Sequence, residues 1–114
     1  NVGLDHARGD LVAYLDDAPV ACGAYRRIPG APDAAEIKRM WAHPDARGSK
    51  LGAAVLATLV QAARADGYQQ VKLETGEHLT AAVGLYTTFG FTACEPWGEY
   101  VGVAHSYTMS KQLQ

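Results

Sequence analysis

One stretch constrains this chain more than any other. Residues 49–66, "SKLGAAVLATLVQAARAD", carry helical period and lie between two extended segments. On a helical wheel Leu51, Val55, Leu56, Leu59, Val60, Ala62 and Ala63 share a broad apolar arc, with Thr58, Gln61 and Arg64 opposite. Ahead of the helix, "AEIKRMWAH" (35–43) reads as a strand that ends at Pro44. Behind it, Gly67 is a helix stop and "QQVKLET" (69–75) is the next strand. Strands joined through a helix are parallel, whereas a tight turn joins antiparallel ones. "LVAYLD" (11–16), the turn "DAP" (17–19) and "VACGAYRRI" (20–28) form such a hairpin, followed by the loop "PGAPDA" (29–34). "LTAAVGLYTTF" (79–89) is a short helix ended by Gly90. "FTACEPW" (91–97) and "YVGVAHSYTMSKQL" (100–113) supply the last strands, with Gly98 in the turn between them. The order β-β-β-α-β-α-β-β predicts an α/β chain with a mixed, mostly antiparallel sheet flanked by helices. At 114 residues it is one domain, spanning 1–114.

Composition narrows the function. A net charge of −2 argues against nucleic-acid binding, which needs a basic face. No apolar run approaches the roughly 20 residues of a membrane helix. No secretory leader is visible, and the chain begins at Asn1 rather than Met. Cys22 and Cys94 are expected as thiols in strands, which suits a cytoplasmic protein. His6, His43, His78 and His105 have no metal-ligand spacing, so no metal is expected.

The opening of the long helix is unusual. "HPDARGSKLGAAVL" (43–56) enters the helix through small residues and two cations, with no acidic side chain after Asp45. The first turn of a helix presents N–H groups without intrahelical partners at the positive end of its dipole. Gly48 and Gly52 would let an anion approach the backbone, and Arg47 and Lys50 would add charge. Alternatively the turn is ordinary, and Ser49 caps the helix. The pattern is not a nucleotide triphosphatase P-loop.

The motif and the order of elements together resemble the GNAT superfamily of acyl-CoA-dependent N-acetyltransferases. The family signature, Arg/Gln-x-x-Gly-x-Gly/Ala at a strand-to-helix turn, is similar to Arg47, Gly48, Ser49, Lys50, Leu51 and Gly52. Its later Ala-x-x-Leu-Tyr-x-x-x-Gly-Phe resembles Ala82, Leu85, Tyr86, Gly90 and Phe91. "AEIKRMWAHPDARG", "LETGE" and "PWGEY" resemble one bacterial branch, and the likeness spans residues 11–113. Lys50 stands where the family usually has its middle glycine, and Leu79 where many relatives place Asn or Gln. The family's N-terminal strand and first two helices would be short or missing here.

The resemblance implies direct transfer of an acetyl group from acetyl-CoA to a primary amine within a ternary complex. That chemistry needs a base for the amine, donors for the carbonyl oxygen and an acid for the leaving thiolate. Glu36 matches the family's strand glutamate and is the candidate base; otherwise it is a solvated charge paired with Lys38 or Arg39. Alternation puts Glu36, Lys38, Met40 and Ala42 on one face, and Ile37, Arg39 and Trp41 on the other. Tyr86 matches the family's acid; otherwise it is a core tyrosine with its tip at the rim. Met40, Trp41 and Ala42 would offer backbone groups to the pantetheine arm. Arg47, Gly48, Ser49, Lys50, Leu51, Gly52 and Ala53 would hold the phosphates. Trp97, Glu99 and Tyr100 either shape an acceptor pocket or pack a turn, and His43 is a loop histidine near the phosphates. The implied acceptor is a small amine rather than a protein, and an unfinished sheet edge would favour a homodimer. The rival is a non-catalytic acyl-CoA-binding or sensory module on the same fold, and a third reading is a purely structural interaction domain.

Overall fold

The alternating segments pair into one sheet of seven strands in the computed structural model, which describes residues 2–7, 10–15, 18–44 and 50–113. The strands are β1 (Val2–Ala7), β2 (Asp10–Leu15), β3 (Ala18–Ile28), β4 (Ala31–Ala42), β5 (Gln70–Gly76), β6 (Thr92–Ala93) and β7 (Ser106–Gln112). Their order across the sheet is β1-β2-β3-β4-β5-β7-β6, antiparallel everywhere except between β4 and β5. Helix α1 (Leu51–Ala65) makes the crossover that this parallel pair requires, and α2 (Thr80–Thr88) follows β5. The mixed, mostly antiparallel sheet expected from the sequence is therefore present.

Four details differ from the sequence pattern. β4 begins at Ala31, inside the segment 29–34 expected as a loop. A six-residue strand, β1, pairs along its length with β2 ahead of the expected hairpin. The segment expected as a strand from 100 begins its ladder only at Ser106. Positive φ at Gly98 (52°), Gly102 (79°) and His105 (63°) breaks extended geometry there, and Gly98–Tyr100 form a single 3₁₀ turn. The strand expected over 91–97 shrinks to two residues, Thr92 and Ala93.

The core lies on one face of the sheet. α1 buries Val55, Leu56, Leu59, Val60 and Ala63, much of the arc its spacing predicted, and packs across β2 to β5. From below, Ala21, Tyr25, Ala35, Ile37, Val71, Leu73 and Met109 meet it, with Tyr86 of α2 and Phe91 completing the cluster. Each fully buried Leu or Phe contributes about 1.5–3 kcal/mol of apolar transfer energy. The Tyr25 hydroxyl donates to Asp66 at the end of α1, and burial together with that carboxylate raises its pKa.

Candidate active site

Two features of β4 open the site. The first is a bulge. Cys22 pairs with Trp41 and Ala24 with Lys38, so two steps along β3 span three along β4. An extra residue reverses the parity of everything beyond it. Met40 consequently turns toward α1, contrary to the simple alternation that groups it with Glu36 and Lys38. A Cβ on Gly23 would lie 2.6 Å from Met40 Sδ and 2.7 Å from Leu59 Cδ1, which locates the methionine between β3 and the helix.

The second feature is a split. Among the described residues β4 and β5 pair only from Ala34–Gln70 to Glu36–Lys72. Beyond that point β4 runs on to Ala42 and β5 to Gly76 without pairing each other. The gap becomes two adjoining clefts. One, of about 470 Å³, is lined by Glu36, Lys38, Glu74, Tyr86 and Tyr100 among others. The other, of about 860 Å³, is lined by Trp41, Ala42, Lys50, Gly52 and Ala53. Met40, Leu79, Ala82 and Tyr86 line both. Glu36 and Tyr86 thus share one cleft, and most of the residues expected to hold a cofactor line its neighbour.

Glu36 is only 9% exposed. Its Oε2 accepts a hydrogen bond from the Tyr100 hydroxyl, and Lys38 Nζ lies 4.0 Å from the same oxygen. Lys38 also approaches Glu99 Oε1 at 3.9 Å, across the cleft mouth. Tyr100 packs edge-on against Trp97 at 5.2 Å, and Lys72 Nζ caps the Trp97 ring at 5.3 Å from its centroid. Burial, and then the Glu36 carboxylate, push the Tyr100 pKa well above that of an ordinary phenol. Glu74 accepts from Ser106 Oγ at 2.8 Å. The sequence left Trp97, Glu99 and Tyr100 between pocket and packing; all three join this cluster. Their signal was "PWGEY", whose partners Glu36, Lys38 and Lys72 lie on distant strands that no local pattern links to it.

Tyr86 is buried in α2 against Phe91, ring to ring at 5.9 Å. Among the described residues nothing hydrogen-bonds its hydroxyl, and burial raises its pKa. The Tyr86 ring is packed in the core cluster and lines both clefts.

The helix α1 begins two residues later than its period suggests, at Leu51. Lys50 is its N-cap residue, with φ 69° in the left-handed region, no side-chain cap, and no acid in the first turn. That φ explains why glycine would suit this position: an L-residue there carries strain on the order of 1–3 kcal/mol. The first bond into the helix runs from the Ala54 N–H to the Lys50 carbonyl at 3.0 Å. A Cβ on Gly52 would meet nothing within 4 Å. Leu51 packs against the core, so only its backbone is available at the turn. Arg47, Gly48 and Ser49 lie outside the described residues. Trp41 is 42% exposed and stands edge-on to His43 at 6.0 Å. Leu79 is the N-cap of α2, 48% exposed, without a side-chain cap. Cys22 and Cys94 form no disulfide. Among the described residues no His, Cys, Asp and Glu cluster could hold a metal, and no helix is long and apolar enough to cross a membrane.

The sequence profile described as the acetyltransferase (GNAT) family matches residues 3–91. The chain belongs to that family. It is 36% identical over 103 residues to a protein named IAA acetyltransferase from Azospirillum brasilense, covering 90% of this chain and 67% of that one. An uncharacterised N-acetyltransferase of Schizosaccharomyces pombe is 34% identical over 90 residues, or 78% of this chain. This GNAT chain spans 55% of the length of the yeast protein. Among solved structures, one assigned as an acyl-CoA N-acyltransferase from Klebsiella pneumoniae superposes with a TM-score of 0.83 at 32% identity. It covers 92% of this chain and 72% of its own.

Proposed function

We propose that this chain moves an acetyl group from acetyl-CoA to a primary amine by direct attack in a ternary complex. The observation that carries the reading is the parting of β4 from β5 after three pairs, with Glu36 at the apex and Tyr86 opposite in one cleft. The donor set fits a coenzyme A diphosphate. First-turn amides of α1 lack a side-chain cap, Lys50 adds a cation, and Gly52 leaves room for close approach. The unpaired run of β4 through Met40, Trp41 and Ala42 would receive the pantetheine arm as an added strand. Acetyl-CoA, when bound, supplies the activated acyl group.

This chain's own residues do the proton work. Glu36 would take the proton that the attacking nitrogen sheds, directly or through water. Tyr86, kept protonated by burial, would give its proton to the leaving sulfur. The cleft of about 470 Å³ is the size of a small-molecule site, which favours a small amine as acceptor.

The test has two stages. Acetyl-CoA at about 100 times its dissociation constant should stabilise the chain by about 2.7 kcal/mol in thermal unfolding. Absence of any shift at millimolar concentration leaves a purely structural domain. Thiol release is then followed with putrescine, phenethylamine, glycine and an alanine-initiated peptide. Stabilisation without release from any amine points to an acyl-CoA-binding module. Tyr86→Phe should slow release on the order of 10²-fold with coenzyme affinity nearly intact; an unchanged rate removes Tyr86 from the mechanism.

A further inference from the structure

Tyr100 is a residue whose partner is out of proportion to its position. It sits on a single 3₁₀ turn in an otherwise irregular segment, yet its hydroxyl donates to the buried carboxylate of Glu36, 64 residues earlier in the chain. We infer that Tyr100 is a positioning residue, which holds the Glu36 carboxylate in one orientation. This rests on the reading of Glu36 as the base.

Three observations support the role. Glu36 belongs to a strand edge that loses its neighbour at the split, so the ladder beyond it does not restrain the side chain against β5. Tyr100 is itself clamped: its ring packs edge-on against Trp97, and Lys72 closes over that indole. A rigid phenol loses little freedom on making a hydrogen bond, so it orients its acceptor well. Among the described residues, the titratable and charged groups around Glu36 are Lys38 on its own strand, Arg26 beside it on β3, Lys72 and Glu74 on β5, Tyr86 on α2 across the cleft, and Glu99 and Tyr100 on the 3₁₀ turn. Lys38 reaches Glu36 only at 4.0 Å and divides its charge with Glu99 at 3.9 Å. Among the described residues the Tyr100 hydroxyl is thus the group in direct hydrogen-bond contact.

Tyr100→Phe tests this without knowledge of the acceptor. It keeps the ring against Trp97, so the melting temperature should stay near that of the parent. Carbon-13 labelling of glutamate carboxyls, with Glu36→Gln to assign the resonance, reads the surroundings of the Glu36 carboxyl. Its resonance should move in Tyr100→Phe, because the carboxylate loses its phenol donor. With whichever panel amine releases thiol, kcat should fall about tenfold at constant KM for acetyl-CoA. In a Glu36→Gln background Tyr100→Phe should cost nothing further. An unmoved Glu36 resonance overturns the inference, even where Glu36→Gln abolishes release. Parental rates in Glu36→Gln overturn the base assignment and the inference together.

Discussion

The two faces of the sheet are built on different principles. The face under α1 and α2 is apolar and closely packed: Ala21, Ala35, Val55, Leu56, Leu59, Ala63 and Val71 are fully buried there. The opposite face carries Glu36, Lys38, Lys72 and Glu74, covered in part by the irregular segment holding Trp97, Glu99 and Tyr100. On the first face each residue is replaceable only by something of its own shape. On the second, contacts are few, directional and charged. The difference teaches where stability and chemistry reside: the packed face holds β4 and β5 in register, and the split at its end exposes polar groups that packing alone would not tolerate.

Four perturbations would break or sharpen this contrast. The largest is alkaline titration, which strikes both faces at once. Tyr25, Tyr86 and Tyr100 all have folded-state pKa values raised above that of a free phenol. The folded chain therefore holds protons that the unfolded chain releases near pH 10, and stability should be intact below that pH and fall steeply above it. A denaturant midpoint unchanged between pH 9 and 12 would show that burial does not keep these phenols neutral. Next is Leu56→Ala under α1, expected to cost about 2–5 kcal/mol in denaturant unfolding. A loss under about 1 kcal/mol would mean the packed face is looser than its burial implies.

Gly52→Ala is smaller and has two signs. The added methyl meets no protein atom, so the free chain should gain up to about 1 kcal/mol from the better helix former. Acetyl-CoA affinity should fall, because the methyl enters the space left for the diphosphate. Unaltered affinity in titration calorimetry would separate Gly52 from the cofactor. The smallest is Glu99→Ala, at the rim of the charged face. Its pairing with Lys38 at 3.9 Å is mostly exposed, so stability should change by under about 0.5 kcal/mol. A larger loss would make the charged face a stabilising element after all.

Glycine 23 shows the limit of reading such residues from sequence. Gly23 and Gly52 look alike in the chain, yet a methyl on Gly23 collides with Met40 and Leu59, while one on Gly52 meets open space. One glycine serves packing, and the other leaves a surface clear. No spacing rule distinguishes them, because the deciding atoms come from other elements.

Local periodicity was enough to determine α1 and its buried arc, the β2–β3 hairpin and the parallel placement of β5, while the site candidates near residues 36–53 and 86 came from the family resemblance. Each of those elements depends on neighbours within a turn or a strand, where geometry repeats. Tertiary structure alone decided the bulge that turns Met40 to the helix, the left-handed Lys50, the split that makes the clefts, and the bond from Tyr100 to Glu36. These depend on register between strands and on contacts across many residues, which repeat nowhere in the chain.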